Sequence, residues 1–176
     1  MLIKETKNNH TYSLRIKSDP LVAKMINLLM RHGKRSKAEK VLSRAINALD
    51  KEYPGQALHI FYLAIIAVKQ DIAVRLKPKP KKRRNKQSYN VYLPRVISPA
   101  CGLSLGIRSI LKSSRERSQA SFSPFWESLS QELLQASQDK GKVVAKRYSV
   151  NKLAVSNKRR VHFTICLLYT SPSPRD

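Results

Sequence analysis

Hydrophobic side chains recur at helical spacing through residues 19–33. Apolar positions three and four residues apart line one face of an α-helix, so the pattern predicts a first amphipathic helix. Ser18 or Asp19 can cap its start, Pro20 suits its first turn, and Gly33 can end it. The apolar residues of this stretch are Leu21, Val22, Met25, Leu28 and Leu29.

Two further helices follow in the same rhythm. Ser36 with Glu39 three residues later has the spacing of a capping box, which predicts the start of the second helix. A third helix is expected over residues 54–69. Its run Ala57–Val68 is apolar almost all round, which indicates a buried helix, because a membrane span needs about 20 residues. The inward stripe of the second helix is Val41, Leu42, Ala45, Ile46 and Leu49.

The hydrophobic period then shortens to two residues. Apolar side chains alternate with polar ones on both sides of a basic run, Lys77–Lys86. This alternation predicts two paired strands, with the charge at the tip of the hairpin between them. The alternating residues are Ile72, Val74 and Leu76 before the run and Tyr89, Val91 and Leu93 after it.

The second half of the chain returns to helical spacing. Ser98–Pro99 is predicted to open a fourth helix that ends in the polar SSRERS, and Ser123–Pro124 to open a fifth that Gly141 stops. The run Lys140–Arg160 is basic and weakly helical, and only Leu153–Val155 is expected to offer core contacts. The inward residues are Leu103, Ile107, Ile110 and Leu111 in the fourth helix and Phe125, Trp126, Leu129, Leu133 and Leu134 in the fifth.

The charge of the chain is strongly one-sided. Lys and Arg number 35 against 11 Asp and Glu, a formal net charge of +24, while 41% hydrophobic residues still allow a buried core. Such an excess costs stability through self-repulsion unless a polyanion neutralises it. Basic residues cluster around Lys34, Arg83, Arg115 and Arg147. Four clusters in one small domain favour an RNA surface over four solvated faces, with contacts mostly to phosphate and sugar.

Catalytic and metal-binding patterns are missing from the sequence. The four histidines stand in no short-range pattern with Cys, Asp or Glu, and the five glycines form no phosphate-cradling loop. No enzymatic activity, cofactor or metal is therefore expected. Cys101 and Cys166 have no close partner and no metal-ligand spacing, which favours a reducing compartment.

The two ends of the chain differ from its centre. Residues 1–18 contain no recognisable targeting segment, and we interpret them as an N-terminal extension of one domain at residues 19–165. The last eleven residues, CLLYTSPSPRD, have no helical or strand period and match the translation of a transposase sequencing adapter throughout. We interpret residues 166–176 as a non-native tail, so that the native chain departs from this sequence near Ile165.

Several stretches, in this order and spacing, resemble the small-subunit ribosomal protein seven family. They are DPLVAKMINLLMRHGKRSKAEKVLSRAINAL, LGIRSILKSSRERS and LSQELLQASQDKGKVVAKRYSVNKLAVSNKRRVHF. The resemblance implies a mainly α fold, a six-helix domain with a protruding two-stranded β-hairpin arm, and no enzymatic activity. It implies binding to the 3' major (head) domain of small-subunit rRNA early in head assembly. Neighbouring head proteins would be partners, the arm would lie near exit-site tRNA and the mRNA path, and no membrane or small-molecule substrate is expected.

The resemblance also implies which segments contact RNA. The family's glycine-lysine turn corresponds to Gly33–Arg35, its arm to Ile72–Ile97, and its last helix carries Asn151, Asn157 and His162. The RNA-binding residues expected from the basic clusters and the resemblance together are Lys34, Arg35, Lys37, Arg75, Lys77, Lys79, Lys81, Lys82, Arg83, Arg84, Lys86, Arg108, Lys112, Arg115, Arg117, Lys142, Lys146, Arg147, Lys152 and Lys158.

Two segments depart from the family pattern. The hairpin tip, KPKPKKRRNK, lacks the usual glycine pair, and SPACG stands before the fourth helix where the family tends to have several arginines. Together with the abundance of Lys and Asn, this drift favours an organellar protein. A mitochondrial ribosome is the preferred location, with plastid and bacterial cytoplasm as alternatives.

A nuclear or nucleoid DNA-binding protein is the rival interpretation. In that case Lys77–Lys86 would be an import signal, a role that runs of Lys and Arg with Pro can fill. An import signal is normally flexible, however, whereas the alternating residues on both sides of this run predict paired strands. The alternation therefore favours an arm.

Overall fold

The computed structural model of the chain describes residues 19–77 and 91–160. Within them lie six α-helices and one antiparallel hairpin, which confirms the predicted fold class. The elements are α1 (Pro20–Leu29), α2 (Arg35–Glu52), α3 (Ala57–Val68), β1 (Ile72–Lys77), β2 (Val91–Val96), α4 (Pro99–Ser121), α5 (Phe125–Ser137), α6 (Lys142–Ser156) and a 3-10 turn (Lys158–Arg160). The N-terminal extension, the hairpin tip and the C-terminal tail lie outside the described residues, and the domain limits stay predictions.

The first helix, α1, begins as predicted but ends early. The Asp19 side chain caps it by accepting a hydrogen bond from the Leu21 N–H at 2.8 Å. The same carboxylate accepts a hydrogen bond from the Tyr62 hydroxyl, which ties α1 to α3. The helix ends at Leu29, so the prediction that Gly33 ends it is wrong. Gly33 lies in the turn before α2 with a φ of 70°, a conformation that glycine adopts without strain.

The start of α2 differs from the predicted capping box. Lys34 is the N-cap residue, and no side chain caps this helix. Because the helix begins at Arg35, Ser36 already lies within its first turn and cannot act as the cap. Glu39 instead accepts a hydrogen bond from Arg35 Nε at 2.8 Å, an ion pair between residues four apart.

The core is centred on α3 and α5, which pack against each other, while α5 also contacts α2 and α4. The buried position predicted for α3 is confirmed, although Ile66 on its outer face is 66% exposed. None of the described helices is long and apolar enough to cross a bilayer. In α5, Leu129 and Leu133 are fully buried, whereas Trp126 is only partly so. The largest fully buried side chains are Phe61, Met25, Leu42, Ile46, Leu49, Ile107, Ile110, Leu129, Leu133, Val22, Val68 and Val144.

A close backbone approach joins α4 to the end of α3. A Cβ atom at Gly102 would lie 2.0 Å from the Gln70 carbonyl oxygen, and one at Gly106 would lie 2.8 Å from that of Val68. The Gln70 N–H donates a hydrogen bond to the Gly102 carbonyl at 3.4 Å. Glycine is therefore required at both positions, although it costs about 1 kcal/mol relative to alanine inside a helix. The helix continues to Ser121, beyond its predicted polar end.

The last helix, α6, packs on the base of the hairpin and against α3 and α4. Its buried residues are Val143, Val144 and Ala154. The prediction that Leu153–Val155 alone offers core contacts is therefore wrong, because the first turn enters the core and Val155 is 65% exposed. The prediction for Gly141 is also wrong. With a φ of 96° it is the N-cap of α6, while α5 has already ended at Ser137.

The hairpin pairs Ile72 with Val96, Val74 with Pro94 and Leu76 with Tyr92. Alternate residues of a strand lie on the same face, so Ile72, Val74 and Leu76 share one face of the hairpin. Their paired residues in β2 lie on that face as well. In β2 that face carries Tyr92, Pro94 and Val96, so Leu93 belongs to the opposite face, together with Ala73 and Arg75. Both strands contact α6, and β2 also contacts the 3-10 turn. The paired strands predicted from alternation are confirmed, whereas Tyr89 lies outside the described residues.

Candidate RNA-binding surface

The turn between α1 and α2 presents three exposed cations, Lys34, Arg35 and Lys37. Left-handed backbone at His32 and Gly33, with φ of 53° and 70°, reverses the chain here. Since no side chain caps α2, its first N–H groups face the same region as these cations. Positive side chains and the positive end of a helix dipole together create an anion-attracting surface.

A second set of cations follows one face of α4. Arg108, Lys112 and Arg115 are spaced four and three residues apart, which places them in one row along the helix. Arg108 and Lys112 are exposed, and Arg115 is half-buried. Burial, and then the charge of Arg31 from the end of α1, lower the pKa of Arg115. The row on α4 therefore meets the α1–α2 turn at Arg31.

Arg31 was absent from the residues predicted to bind RNA. It belongs to the basic turn RHGKRSK, whose sequence fits a solvated helix connection and a phosphate-binding turn equally well, and the resemblance led only to Gly33–Arg35. What singles it out is its proximity to Arg115, which lies far away in the sequence. No local pattern could have revealed that pairing.

The start of α6 lies along one flank of the α4 row, beside Lys112 and Glu116. Lys142 Nζ donates a hydrogen bond to Glu116 Oε2 at 3.0 Å, and Lys112 and Lys146 add their charges nearby. The hydrogen bond from Lys142 is the main reason that the pKa of Glu116 lies below its ordinary value. Three lysines thus surround a single exposed carboxylate, and the surface stays positive.

Two of the predicted RNA-binding arginines are engaged inside the protein. Arg117 Nη2 forms an ion pair with the buried Glu132 Oε1 at 2.5 Å and donates to Gln135 Oε1 at 2.7 Å. Arg147 Nη1 donates to the Ala67 carbonyl at 2.6 Å, near the end of α3. Arg117 holds α4 to α5, and Arg147 holds α6 to α3.

Comparison with known proteins identifies the family. The sequence profile of the family described as Ribosomal protein S7p/S5e matches residues 2–158. The chain belongs to this family. The small ribosomal subunit protein uS7 of Sulfurihydrogenibium sp. (strain YO3AOP1) is 33% identical over 145 residues, which cover 82% of this chain and 87% of that protein. The uS7 protein of Buchnera aphidicola subsp. Cinara cedri is 34% identical over 146 residues, covering 83% and 87%. That of Methylibium petroleiphilum is 30% identical over 142 residues, covering 81% and 85%.

Membership in the S7 family makes this chain a structural, non-enzymatic component of the small ribosomal subunit, located in the ribosome. Small-subunit rRNA and other ribosomal components are its partners. Membership in this family therefore supports the ribosomal interpretation and not the DNA-binding one. In the described part of the chain, no group of three or more His, Cys, Asp or Glu could hold a metal ion.

The hairpin of this S7-family chain places cations on one face. Arg75 is exposed on β1, and the register sets Arg95 opposite Ala73 on the same face as Arg75. Arg95 was not among the predicted residues. Lys152 on α6 and Lys158 in the 3-10 turn are exposed as well, and that turn contacts β2. The described residues include the backbone of Lys77, whereas Lys79, Lys81, Lys82, Arg83, Arg84 and Lys86 lie outside them.

A cleft of mixed charge lies on another part of the S7-family domain. Its volume is about 450 Å³, it lies between the second half of α2 and the start of α5, and Arg44 and Lys51 line it together with Glu52 and Glu127. Since α2 begins at Arg35 and rises 1.5 Å per residue, this cleft extends from about 14 to 26 Å along the helix from the α1–α2 turn. The domain therefore has a basic side formed by the turn, α4 and α6, and a mixed-charge side at the α2–α5 cleft.

Proposed function

We propose that this chain binds the 3' major (head) domain of small-subunit rRNA and nucleates assembly of the head. The basic surface that runs from the α1–α2 turn along Arg115, Lys112 and Arg108 of α4 to Lys146 of α6 carries the proposal. A surface of one charge that joins three helices suits a folded polyanion better than a small ligand.

The contacts are proposed to be mainly with phosphate and sugar. Lys and Arg dominate this surface, and their ammonium and guanidinium groups neutralise phosphates without reading the sequence of bases. Recognition by shape and backbone is typical of folded RNA, whose deep major groove is closed to side chains. The protein would thus select the fold of the rRNA more than its sequence.

The predicted RNA-binding residues divide into two groups under this proposal. In the described part of the chain, one group has no hydrogen-bonded protein acceptor and is free to bind phosphate: Lys34, Lys37, Arg75, Arg108, Lys112, Arg115, Lys146, Lys152 and Lys158. The other group has a protein partner: Arg117 and Arg147 are engaged inside the protein, whereas Arg35 and Lys142 form exposed ion pairs with Glu39 and Glu116.

A salt series tests the proposal. Binding of the full chain to a transcript of the rRNA head domain should weaken steeply with salt, by about 0.7 to 0.9 in log-log slope per phosphate neutralised. The triple variant R108Q/K112Q/K146Q should lower that slope by about 2 to 3, because three contacts are lost. The matched control K40Q/R44Q/K51Q removes three exposed charges of α2 and should leave it unchanged. A slope near zero for the wild type, or equal losses in both variants, would refute the proposal.

We further propose that the hairpin reaches exit-site tRNA and the mRNA path. Among the described elements, the main contacts of the two strands outside the hairpin are with α6 and the 3-10 turn. Leu76, near the end of β1, is 51% exposed. Both observations support an arm that projects from the helical body. The seven cations between Lys77 and Lys86 would then lie at its far end. Such an arm suits contact with a second RNA while the body stays on rRNA.

A mitochondrial ribosome is the proposed location. The departures from the family pattern support it: the tip has no glycine, and SPACG occupies the first turn of α4 in place of several arginines. The epitope-tagged full chain, expressed in its native cells, should sediment with mitochondrial small subunits. Sedimentation with plastid or cytoplasmic subunits instead would exclude this location.

A further inference from the structure

A cleft of about 330 Å³ lies where the end of α1 meets α4 and the start of α5. We name it the two-arginine cleft after its two cationic residues. Its lining residues are Leu29, Arg31, Arg115, Ser118, Gln119 and Phe125. The volume is within the range of small-ligand sites, which begins at about 300 Å³.

The two-arginine cleft is positively charged and would attract an anion. No acid is among its lining residues, and burial together with the charge of Arg31 lowers the pKa of Arg115. The cleft nevertheless carries two positive charges, because arginine side chains are charged in proteins. Two acids of α4 and α5 are already paired, Glu116 with Lys142 and Glu132 with Arg117, and Glu127 lines the α2–α5 cleft instead. An anion between the two arginines would relieve the repulsion between them.

The rest of the lining suits more than a bare phosphate. Phe125 and Leu29 form an apolar wall, while Ser118 and Gln119 add a hydroxyl and an amide. A phosphate alone would use the arginines and leave that wall in water. A nucleotide would use both parts, because proteins commonly hold unstacked RNA bases against aromatic rings and hydrogen-bond their edges.

We propose that the two-arginine cleft accepts one unstacked nucleotide of RNA. Its phosphate lies between Arg31 and Arg115, its base stacks on Phe125, and Gln119 hydrogen-bonds the edge of the base. The inference rests on the proposed function, since it makes this cleft one specific contact of the RNA surface. It adds a base contact to a surface that otherwise binds backbone.

The phosphate part is tested with R31Q, R115Q and the double variant of the full chain, in the same rRNA binding assay. The control is R44Q, which removes an exposed arginine of α2. Each single variant should lose at least 5-fold in affinity, and R44Q less than 2-fold. The double variant should lose less than the product of the single losses, because both arginines hold one phosphate. Its salt slope should fall by about 0.7 to 0.9, not twice that amount.

The base part is tested with F125L, which keeps an apolar side chain but removes the aromatic face. Affinity should fall by about 5- to 100-fold with an unchanged salt slope, because stacking neutralises no phosphate. The control is Y53L at the end of α2, where Tyr53 is 39% exposed and outside the cleft. Thermal melting by circular dichroism checks that F125L folds. Ultraviolet cross-linking of wild-type protein to the transcript should place an adduct on the Phe125 peptide.

The outcomes separate this inference from the proposed function. If the wild type binds without salt dependence, the proposed function itself fails. If the salt dependence holds but R31Q and R115Q behave like R44Q, only the cleft is excluded. If the arginine effects hold while F125L matches Y53L and the Phe125 peptide carries no adduct, the cleft holds backbone phosphate alone and the nucleotide proposal is overturned.

Discussion

Arg117 serves the fold through several acceptors on α5. Its guanidinium reaches Glu132, whose side chain is only 3% exposed, and the amide oxygens of Gln131 and Gln135 at 3.3 and 2.7 Å. A buried carboxylate without a cation is costly, so the arginine is needed wherever Glu132 is present. From the sequence, Arg117 is indistinguishable from the cations that face solvent.

Removal of this arginine should destabilise the protein. R117M leaves Glu132 buried and unpaired, which should lower the free energy of unfolding by about 3–5 kcal/mol in urea titrations. The double variant R117M/E132L removes both charges and should recover most of that loss. In the folded double variant, the salt slope of rRNA binding should equal that of the wild type. An R117M protein as stable as the wild type would contradict this assignment.

Glu116 is the one acid within the basic row of α4 and α6 in the described part of the chain. E116Q should raise rRNA affinity by about 2- to 5-fold, because one negative charge beside the phosphates disappears. The control E52Q changes an acid in the α2–α5 cleft and should have no such effect. Equal gains in both variants would indicate a general charge effect and not a local one.

The pH dependence of this gain follows from the lowered pKa of Glu116, whose main cause is the hydrogen bond from Lys142. A carboxylate with a lowered pKa stays ionised, and keeps its ion pair, until the pH falls below the ordinary glutamate range. The difference in affinity between wild type and E116Q should therefore be constant from about pH 6 to 8. It should shrink only as the pH falls through the lowered pKa.

Helix boundaries in this protein depend on contacts between elements as well as on local signals. The cap at Asp19 was predictable because it acts two residues along the chain. The capping box at Ser36 failed because α2 starts earlier, with an Arg35–Glu39 pair in its first turn. Gly141 was assigned to the wrong helix, since a left-handed glycine can follow one helix or precede another. Local chemistry located most elements but not all their ends.

The packing of α4 on α3 gives a prediction at this scale. G102A would force a Cβ atom against the Gln70 carbonyl, where only 2.0 Å is available, and backbone cannot rotate away. The free energy of unfolding should fall by about 1–3 kcal/mol in urea titrations. C101A, at the exposed neighbouring position, should change it by less than about 0.5 kcal/mol. Equal stability of G102A and C101A would show that the two helices do not approach this closely.

At the scale of the whole molecule, cationic side chains are concentrated on one surface. The α1–α2 turn, α4 and α6 form this basic surface, whereas the α2–α5 cleft has a mixed-charge lining. The hairpin extends from the helical body at α6. This arrangement suggests separate tasks: attachment to rRNA by the body and contact with a second RNA by the arm.

If the body attaches to rRNA and the arm contacts a second RNA, variants of the body and of the arm should have different defects. Reversal of the tip charges in K81E/K82E/R83E/R84E should leave binding to the rRNA transcript and incorporation into small subunits within about 3-fold, because the body neutralises most phosphates. Translation by those subunits should nevertheless slow. R108Q/K112Q/K146Q should reduce incorporation first. If the tip variant fails to enter subunits while the triple variant enters normally, the arm and not the helical body attaches the protein to rRNA, and this assignment is wrong.

The helices, the paired strands, the charge excess and the family could all be inferred from the amino-acid sequence alone. These properties follow from spacing between neighbouring residues and from composition, which a linear chain displays directly. The packing of the helices is needed to know which cations lie close together, as Arg31 and Arg115 do, and which pair with a buried acid, as Arg117 does with Glu132. Those outcomes depend on side chains that lie far apart in the chain and come together only when the helices pack.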